Sequence, residues 1–351
     1  MKNILLLLVG GTICSALNEK GTLSVQSEAG TALADSFENS DSAWVGRVHL
    51  HQTRNLGILS ENMTTDKWNT VIDTLKEYLS NARYDGIIIA HGTDTLAFSA
   101  ALFSMLMSKA DIPVFLVSAQ LPLAKTATNG RENFRVAVES ICRGISPRVY
   151  VPYKNTKDNR MYLHIGARLR QCENYSDDFF SSGALDITAM NEDNYPAYFQ
   201  ELDDRFPLAN RQDGITLYTV GKLTDCVLKL SPYVGLRYDA IAYDRFKAVL
   251  HGTFHAGTAC AQGERNAVGY LLDACLAAGV PVYISPMKMM GEVYDTVRVI
   301  NEHTNVYPLY GCTNETTYVK LLLAYATFKT QEEILRYMQT NYHYEKGCDM
   351  P

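Results

Sequence analysis

Short, almost wholly apolar runs recur along this chain, and most are stopped by a cluster of small or polar residues. Ile4 to Val9, Ile87 to Ala90 and Pro113 to Ser118 are the first three. A run without alternation reads as a strand buried on both faces, as in a parallel sheet, because a face that met water would carry polar residues at every second position. Between the runs lie stretches with helical spacing and few breakers. One opens at Thr64 or Thr65 and continues through Tyr78, one covers Leu96 to Lys109, and one follows the Asn129-Gly130 turn signal to about Arg143. Val48 to Leu56 reads as a further strand. A second alternating set comprises strands at Ile215 to Val220, Ala248 to Leu250 and Val280 to Ile284, with helices at Ala267 to Ala278 and Gln331 to Tyr342. Strands alternating with helices predict an α/β fold: a larger N-terminal domain with a doubly wound, mainly parallel sheet, and a smaller C-terminal α/β domain.

The polar clusters then fall at the carboxyl ends of strands, where open α/β sheets bind ligands. In YDGIIIAHGTDT, Tyr84 to Thr95, the chain changes abruptly from Ala90 to His91-Gly92-Thr93-Asp94-Thr95. Gly92 to Thr95 would turn from strand into helix and aim backbone N–H groups outward. Two hydroxyls and a carboxylate there suit nucleophile, acid/base and oxyanion chemistry, and suit equally an Asp or Thr that only caps the helix. The first strand ends the same way, in Gly10-Gly11-Thr12-Ile13. Two threonines from distant parts of the chain could therefore face one another across neighbouring strands.

The pair VGGTI (Val9 to Ile13) and HGTDT (His91 to Thr95) resembles the bacterial asparaginase/glutaminase family, which hydrolyses side-chain amides with threonine nucleophiles. The resemblance implies Thr12 as nucleophile beside Gly11, with Thr93 and Asp94 as second hydroxyl and supporting carboxylate near Gly92. The segment SENMT resembles the family's substrate-binding stretch, giving Ser60 to a substrate α-carboxylate and Glu61 to its α-ammonium. The backbone carbonyl at Ala119 is implied as acceptor for the scissile amide, with Asn129 replacing the usual aspartate. Where the family has a lysine after the next strand, HIGARLRQCENYSDDFFS offers Arg170 or Gln171. Arg170 is taken as the cation that orients Asp94, and Lys125 is the substitute from another direction. The family's loop tyrosine has no counterpart between Thr12 and Tyr78, and Thr22 aligns near its place. In HGTFHAGT, His255 stands nearest to an asparagine that reaches a neighbour's active site. Thr313-Asn314-Glu315 extends the likeness toward the C-terminus.

Composition narrows the class further. The composition, 47% hydrophobic and 20% charged, is ordinary for a globular protein, and a length of 351 residues exceeds what one core usually supports. The polar, acidic stretch after Ala184, with Asn191-Glu192-Asp193-Asn194, reads as a linker, so the expected domains are 1–190 and 214–351, joined by 191–213. Net charge is −6 without a basic block, which points away from nucleic acid and from anionic membrane surfaces. The apolar start MKNILLLLVGG is short, runs directly into GGTI and lacks a cleavage site, so it is read as a strand. Eight cysteines without metal spacing are expected to be reduced thiols in the cytoplasm. With neither a dinucleotide fingerprint nor a P-loop, no cofactor or metal is expected, and two histidines in HGTFHAGT lack the partners of a metal site. The expected activity is hydrolysis of L-asparagine, with L-glutamine as a second substrate. The alternative is a catalytically weak or divergent relative that binds an amino acid or cleaves another amide. The resemblance implies a homotetramer built as a dimer of dimers, or a homodimer.

Overall fold

The computed structural model describes residues 1–17, 23–25, 29–208, 214–288 and 294–347. The chain divides into two compact units, Met1–Val220 with Tyr342–Tyr344, and Gly221–Asn341 with Glu345–Pro351.

In the first unit the elements are β1 (Lys2–Leu8), β2 (Ser15–Leu17), β3 (Leu23–Val25), α1 (Ala29–Glu38), β4 (Val48–Gln52), α2 (Thr65–Asn81), β5 (Gly86–Ala90), α3 (Leu96–Leu106), β6 (Val114–Val117), α4 (Gly130–Cys142), β7 (Val149–Lys154), β8 (Met161–Ile165), β9 (Leu169–Arg170), β10 (Phe180–Ser181), β11 (Leu185–Asp186) and α5 (Tyr195–Arg205). Seven strands form one sheet in the order β11-β8-β7-β6-β5-β1-β4. The pairings from β4 through β7 are parallel, while β8 and β11 run antiparallel to their neighbours. All five residues of β5 are buried, as its unbroken apolar run requires. On one face Ile4, Leu6, Leu8, Ile88, Phe115 and Val117 share a core with Leu33 and Phe37 of α1 and Phe134 and Ala137 of α4. From β1 the chain crosses to β4 on one side, and from β5 to β6 on the other. The carboxyl ends of β1 and β5 therefore flank the switch point at which such sheets open a crevice.

The second unit contains β12 (Val227–Leu230), β13 (Ala248–His251), α6 (Val268–Ala277), β14 (Val282–Met287), α7 (Asp295–Asn301), β15 (Val306–Tyr310), α8 (Asn314–Thr327) and α9 (Gln331–Gln339). Its four strands are parallel and follow chain order.

Two expectations change. The stretch 191–213, read as a linker, contains α5, whose Leu202 is buried with Phe206 in the first unit's core. Asp203 of that helix pairs with the buried Arg148 at 2.8 Å. Its polar composition is thus a solvent-facing side, and the first unit continues to Val220. The strand expected at Ile215 to Val220 is a turn, with Thr219 N and Val220 N both bonded to Thr216 O. Its Ile215 and Leu217 are nevertheless buried, which explains the apolar signal. Residues 209–213 lie outside the described residues.

Candidate active site

Glycine brings the two threonine segments together. Beyond β1, Val9 N and Gly10 N both donate to Ala90 O, at 3.1 and 3.3 Å, and Gly11 N donates to Ile58 O at 3.0 Å. Gly11 has φ +77°, and a Cβ there would lie 2.1 Å from Gly92 Cα and 2.2 Å from Gly92 N. A Cβ on Gly10 would lie 2.2 Å from Ile58 O. The backbones after β1 and β5 therefore touch with no side chain between them, which only glycine permits at this approach. Thr12 follows one glycine and opens a short 3-10 turn, Thr12–Cys14; Thr93 follows the other. Both threonines are partly buried.

Ser60 lies against the same contact, its Oγ 2.3 Å from where a Cβ of Gly92 would stand. It is buried, donates its hydroxyl to Asp94 Oδ2 at 2.9 Å and accepts from Asp94 N at 3.3 Å, while its carbonyl accepts from Thr95 Oγ1 at 3.0 Å. Glu61, next in the chain, is exposed, as is Asp94. Among the described residues the N–H groups of Gly92 and Thr93 find no acceptor. Two open backbone donors at a strand-to-helix turn are suited to an anionic oxygen.

Ala119 is fully buried just past β6. Its loop is fixed by two asparagines one helical turn apart. Asn129 exchanges bonds with Gln120, accepting from Gln120 N at 3.1 Å and donating its own N–H to Gln120 Oε1 at 2.9 Å. Asn133 Nδ2 donates to Ser118 O at 2.9 Å. Both also hold Lys154 at the end of β7, Asn129 Nδ2 on its carbonyl and Asn133 Oδ1 on its N–H, each at 2.8 Å. They join β6 to β7 beyond Phe115–Tyr150, where the strands' own pairing has ended. The Asn129 amide gives Lys154 O a donor that an ionised aspartate lacks. Sequence reasoning passed over Asn133, whose signal was a second asparagine four residues along N-G-R-E-N.

The placement beside Asp94 needs correction. Arg170 is exposed and pairs backbone-to-backbone with Phe180, and the structure gives it no bond to Asp94. Gln171 is the residue that reaches this turn, its Nε2 donating to the carbonyls of Thr93, at 3.4 Å, and Asp94. On β9 Leu169 is buried and Arg170 exposed, and Gln171, the first residue past the strand, turns to the Thr93 and Asp94 carbonyls. Lys125 is exposed on its loop. His255 is exposed in the second unit. Thr22 lies outside the described residues.

Behind the turn, burial holds the His91 imidazole neutral, with its pKa lowered to about 4. The Cys172 thiol is pushed up to about 12, first by burial and then by the carboxylates of Asp177, Asp178 and Asp94, so it stays protonated near neutrality. Among the described residues no three His, Cys, Asp or Glu side chains are gathered as a metal site would need, and no helix is long and apolar enough to cross a membrane.

Comparison with known proteins gives the family. The chain is 26% identical over 344 residues, 97% of its length and 76% of the relative's, to a glutamyl-tRNA(Gln) amidotransferase component from Methanosphaera stadtmanae. It is 31% identical over 184 residues to the component of the same name from Methanococcus maripaludis, where the match spans 52% of this chain and only 42% of the relative. In fold it is similar to the thermostable L-asparaginase from Thermococcus kodakarensis, with a TM-score of 0.71 at 23% identity, covering 98% of this chain and 99% of that one. The family described as Asparaginase, N-terminal matches residues 3–202, the stretch that carries β1, β5 and every contact between Gly11, Ser60, Gly92, Asp94 and Gln171. With more than half its length matched and the glycine-to-glycine contact inside the match, the chain belongs to the asparaginase family.

Proposed function

We propose that this protein hydrolyses the side-chain amide of L-asparagine to L-aspartate and ammonia, with L-glutamine as a second substrate. The observation that carries the reading is the contact of Gly11 on Gly92, which sets Thr12 and Thr93 at adjacent strand ends with the Ser60–Asp94 pair alongside. Thr12 Oγ attacks the amide carbon and its proton passes toward the leaving nitrogen, with Thr93 as carrier. The C–N bond breaks, ammonia leaves, and water hydrolyses the Thr12 ester. The N–H groups of Gly92 and Thr93 meet the developing oxyanion, and the Ala119 carbonyl accepts from the scissile amide. Ser60 meets the α-carboxylate, while Glu61 and Asp94 meet the α-ammonium. The reading includes a cytoplasmic homotetramer or homodimer in which His255 of a neighbour approaches the site.

Ammonia release from asparagine and glutamine by purified protein tests the proposal. Thr12→Ala should abolish turnover while the fold, read by circular dichroism, persists. Near-wild-type activity in that variant would remove Thr12 from the role. A second reading, an amino-acid-binding member with little turnover, draws on Gln171, because a carboxamide cannot take the proton that a neutral lysine would. Calorimetric binding of L-aspartate without ammonia release from either amide would favour it. Release from glutamine alone would instead align the chain with the relatives named for glutamyl-tRNA(Gln) amidotransferase.

A further inference from the structure

A directional chain of hydrogen bonds runs from α2 through α3 to the Gly92 turn. Trp68 Nε1 donates to Ser99 Oγ at 3.0 Å, Ser99 Oγ lies 2.9 Å from His91 Nε2, and His91 Nδ1 lies 2.8 Å from the carbonyl oxygen of Gly92. The first and last partners fix every proton between them. An indole N–H can only donate, so Ser99 Oγ accepts there and gives its own hydrogen to Nε2. A carbonyl can only accept, so Nδ1 carries the ring's hydrogen. All of this is buried: His91 is 1% exposed and Ser99 0%. The imidazole is neutral there, as its depressed pKa requires.

The consequence lies on the other side of one peptide plane. In a trans peptide the C=O and the following N–H point in opposite directions. With the Gly92 carbonyl drawn inward to His91, the N–H of Thr93 points away from the interior, and among the described residues it has no acceptor. We propose that His91 is a positioning residue: its Nδ1–H holds the Gly92 carbonyl inward, so that the N–H of Thr93 is presented to the oxyanion of the amide undergoing attack. The inference rests on the amidohydrolase reading and adds to it the residue that aims the donor. His91 touches no substrate and transfers no proton.

Asparagine and leucine side chains separate this role from mere packing. An asparagine amide nitrogen occupies roughly the place of Nδ1 and can donate to the Gly92 carbonyl, whereas leucine fills the space without a donor. Losing a preorganised oxyanion donor costs on the order of a hundredfold in kcat. His91→Leu should therefore lose about that in kcat with KM changed by less than about threefold, and His91→Asn should recover at least about tenfold of it. Equal kcat in the two variants, or a loss that falls in KM, would overturn the inference. A second measurement needs no turnover. In the 15N-histidine NMR spectrum of the full chain, the ring that disappears in His91→Asn should be a neutral Nδ1–H tautomer, still neutral at pH 5.5. An Nε2–H tautomer or a charged ring there would overturn the inference whatever the activity. A wild-type chain that released no ammonia from any amide would instead overturn the amidohydrolase reading.

Discussion

Adding one methyl group at Gly11 should disable the site with limited damage elsewhere. The Cβ of Gly11→Ala would stand 2.1 Å from Gly92 Cα, where ordinary contact begins at 3.4 Å, so the two backbones must separate by 1.3 Å. Ser60 packs on the same side of Gly92 as Gly11, its Oγ 2.3 Å and Gly11 Cα 3.0 Å from where a Cβ of Gly92 would stand. A retreat of Gly92 from Gly11 therefore also opens its packing on Ser60, whose hydroxyl holds Asp94. A displacement of about 1 Å between reacting groups costs on the order of a hundredfold in rate. The left-handed backbone adds a separate cost of about 1–2 kcal/mol in stability for any residue with a Cβ. Gly57 isolates that second effect, since it has φ +71° and nothing within 4 Å of its virtual Cβ. Gly57→Ala should lower stability in urea by about 1 kcal/mol and leave turnover near wild type. Gly11→Ala, folded by circular dichroism, should release ammonia at least about a hundredfold more slowly. If both variants lost stability alike and both kept activity, the glycine contact would not be what places Thr12 against Thr93.

Glu61→Gln should lower the ratio of glutamine to asparagine turnover, measured by ammonia release; an unchanged ratio would take Glu61 out of substrate selection. Gln171→Lys should raise kcat, because it supplies the base the turn lacks, while Arg170→Met should leave kcat within about threefold, as expected for an exposed charge; loss in Arg170→Met or in Lys125→Met would return the role to that cation. Stability should fall as pH drops from about 6.5 toward 4, because His91 and His251 are held neutral with pKa values lowered to about 4, and His164 to about 3, while their unfolded counterparts titrate near 6.5 and bind protons first. The slope from each is at most about 1.4 kcal/mol per pH unit, and a urea midpoint that stays flat from pH 6.5 to 5 would contradict their burial as neutral rings.

The buried strands were the most legible part of the sequence, because a strand covered on both faces must be apolar at every position and the buried stretches of β1 and β5 are. The glycines and threonines after them were legible for a related reason: only a residue without Cβ lets two backbones touch, so Gly11 and Gly92 mark the contact in the sequence itself. Arg170 and Gln171 could not be told apart by charge or type, because the point at which the chain leaves the two-residue β9, after Arg170, decides which side chain reaches the turn. The stretch at 191–213 misled for a different reason. A helix that buries little more than Leu202 is polar on most of its surface, and polarity summed over such a segment looks like a linker. The second strand-end histidine, His251, repeats the His-Gly-Thr order of His91, and its Nε2 meets Tyr238 OH at 2.8 Å inside the second unit.

Ser60 changes how the two charges of a substrate would be read. A hydroxyl has one hydrogen, and that of Ser60 goes to Asp94 Oδ2. A substrate α-carboxylate that takes this hydrogen removes a donor from Asp94, and the α-ammonium of the same molecule supplies another. A zwitterion therefore exchanges the bond without leaving the carboxylate short, whereas succinamic acid, with a carboxylate and no ammonium, takes the donor and returns nothing. Leaving such an acceptor unpaired costs about 1–3 kcal/mol, and the low end applies because Asp94 is exposed and water can reach it, so the discrimination expected from this exchange alone is about fivefold. That preference would travel through Asp94 and Ser60 and would persist in Glu61→Gln. Equal kcat/KM for asparagine and succinamic acid in Glu61→Gln would mean that Glu61 alone recognises the ammonium and that the Ser60–Asp94 bond stays closed when substrate binds.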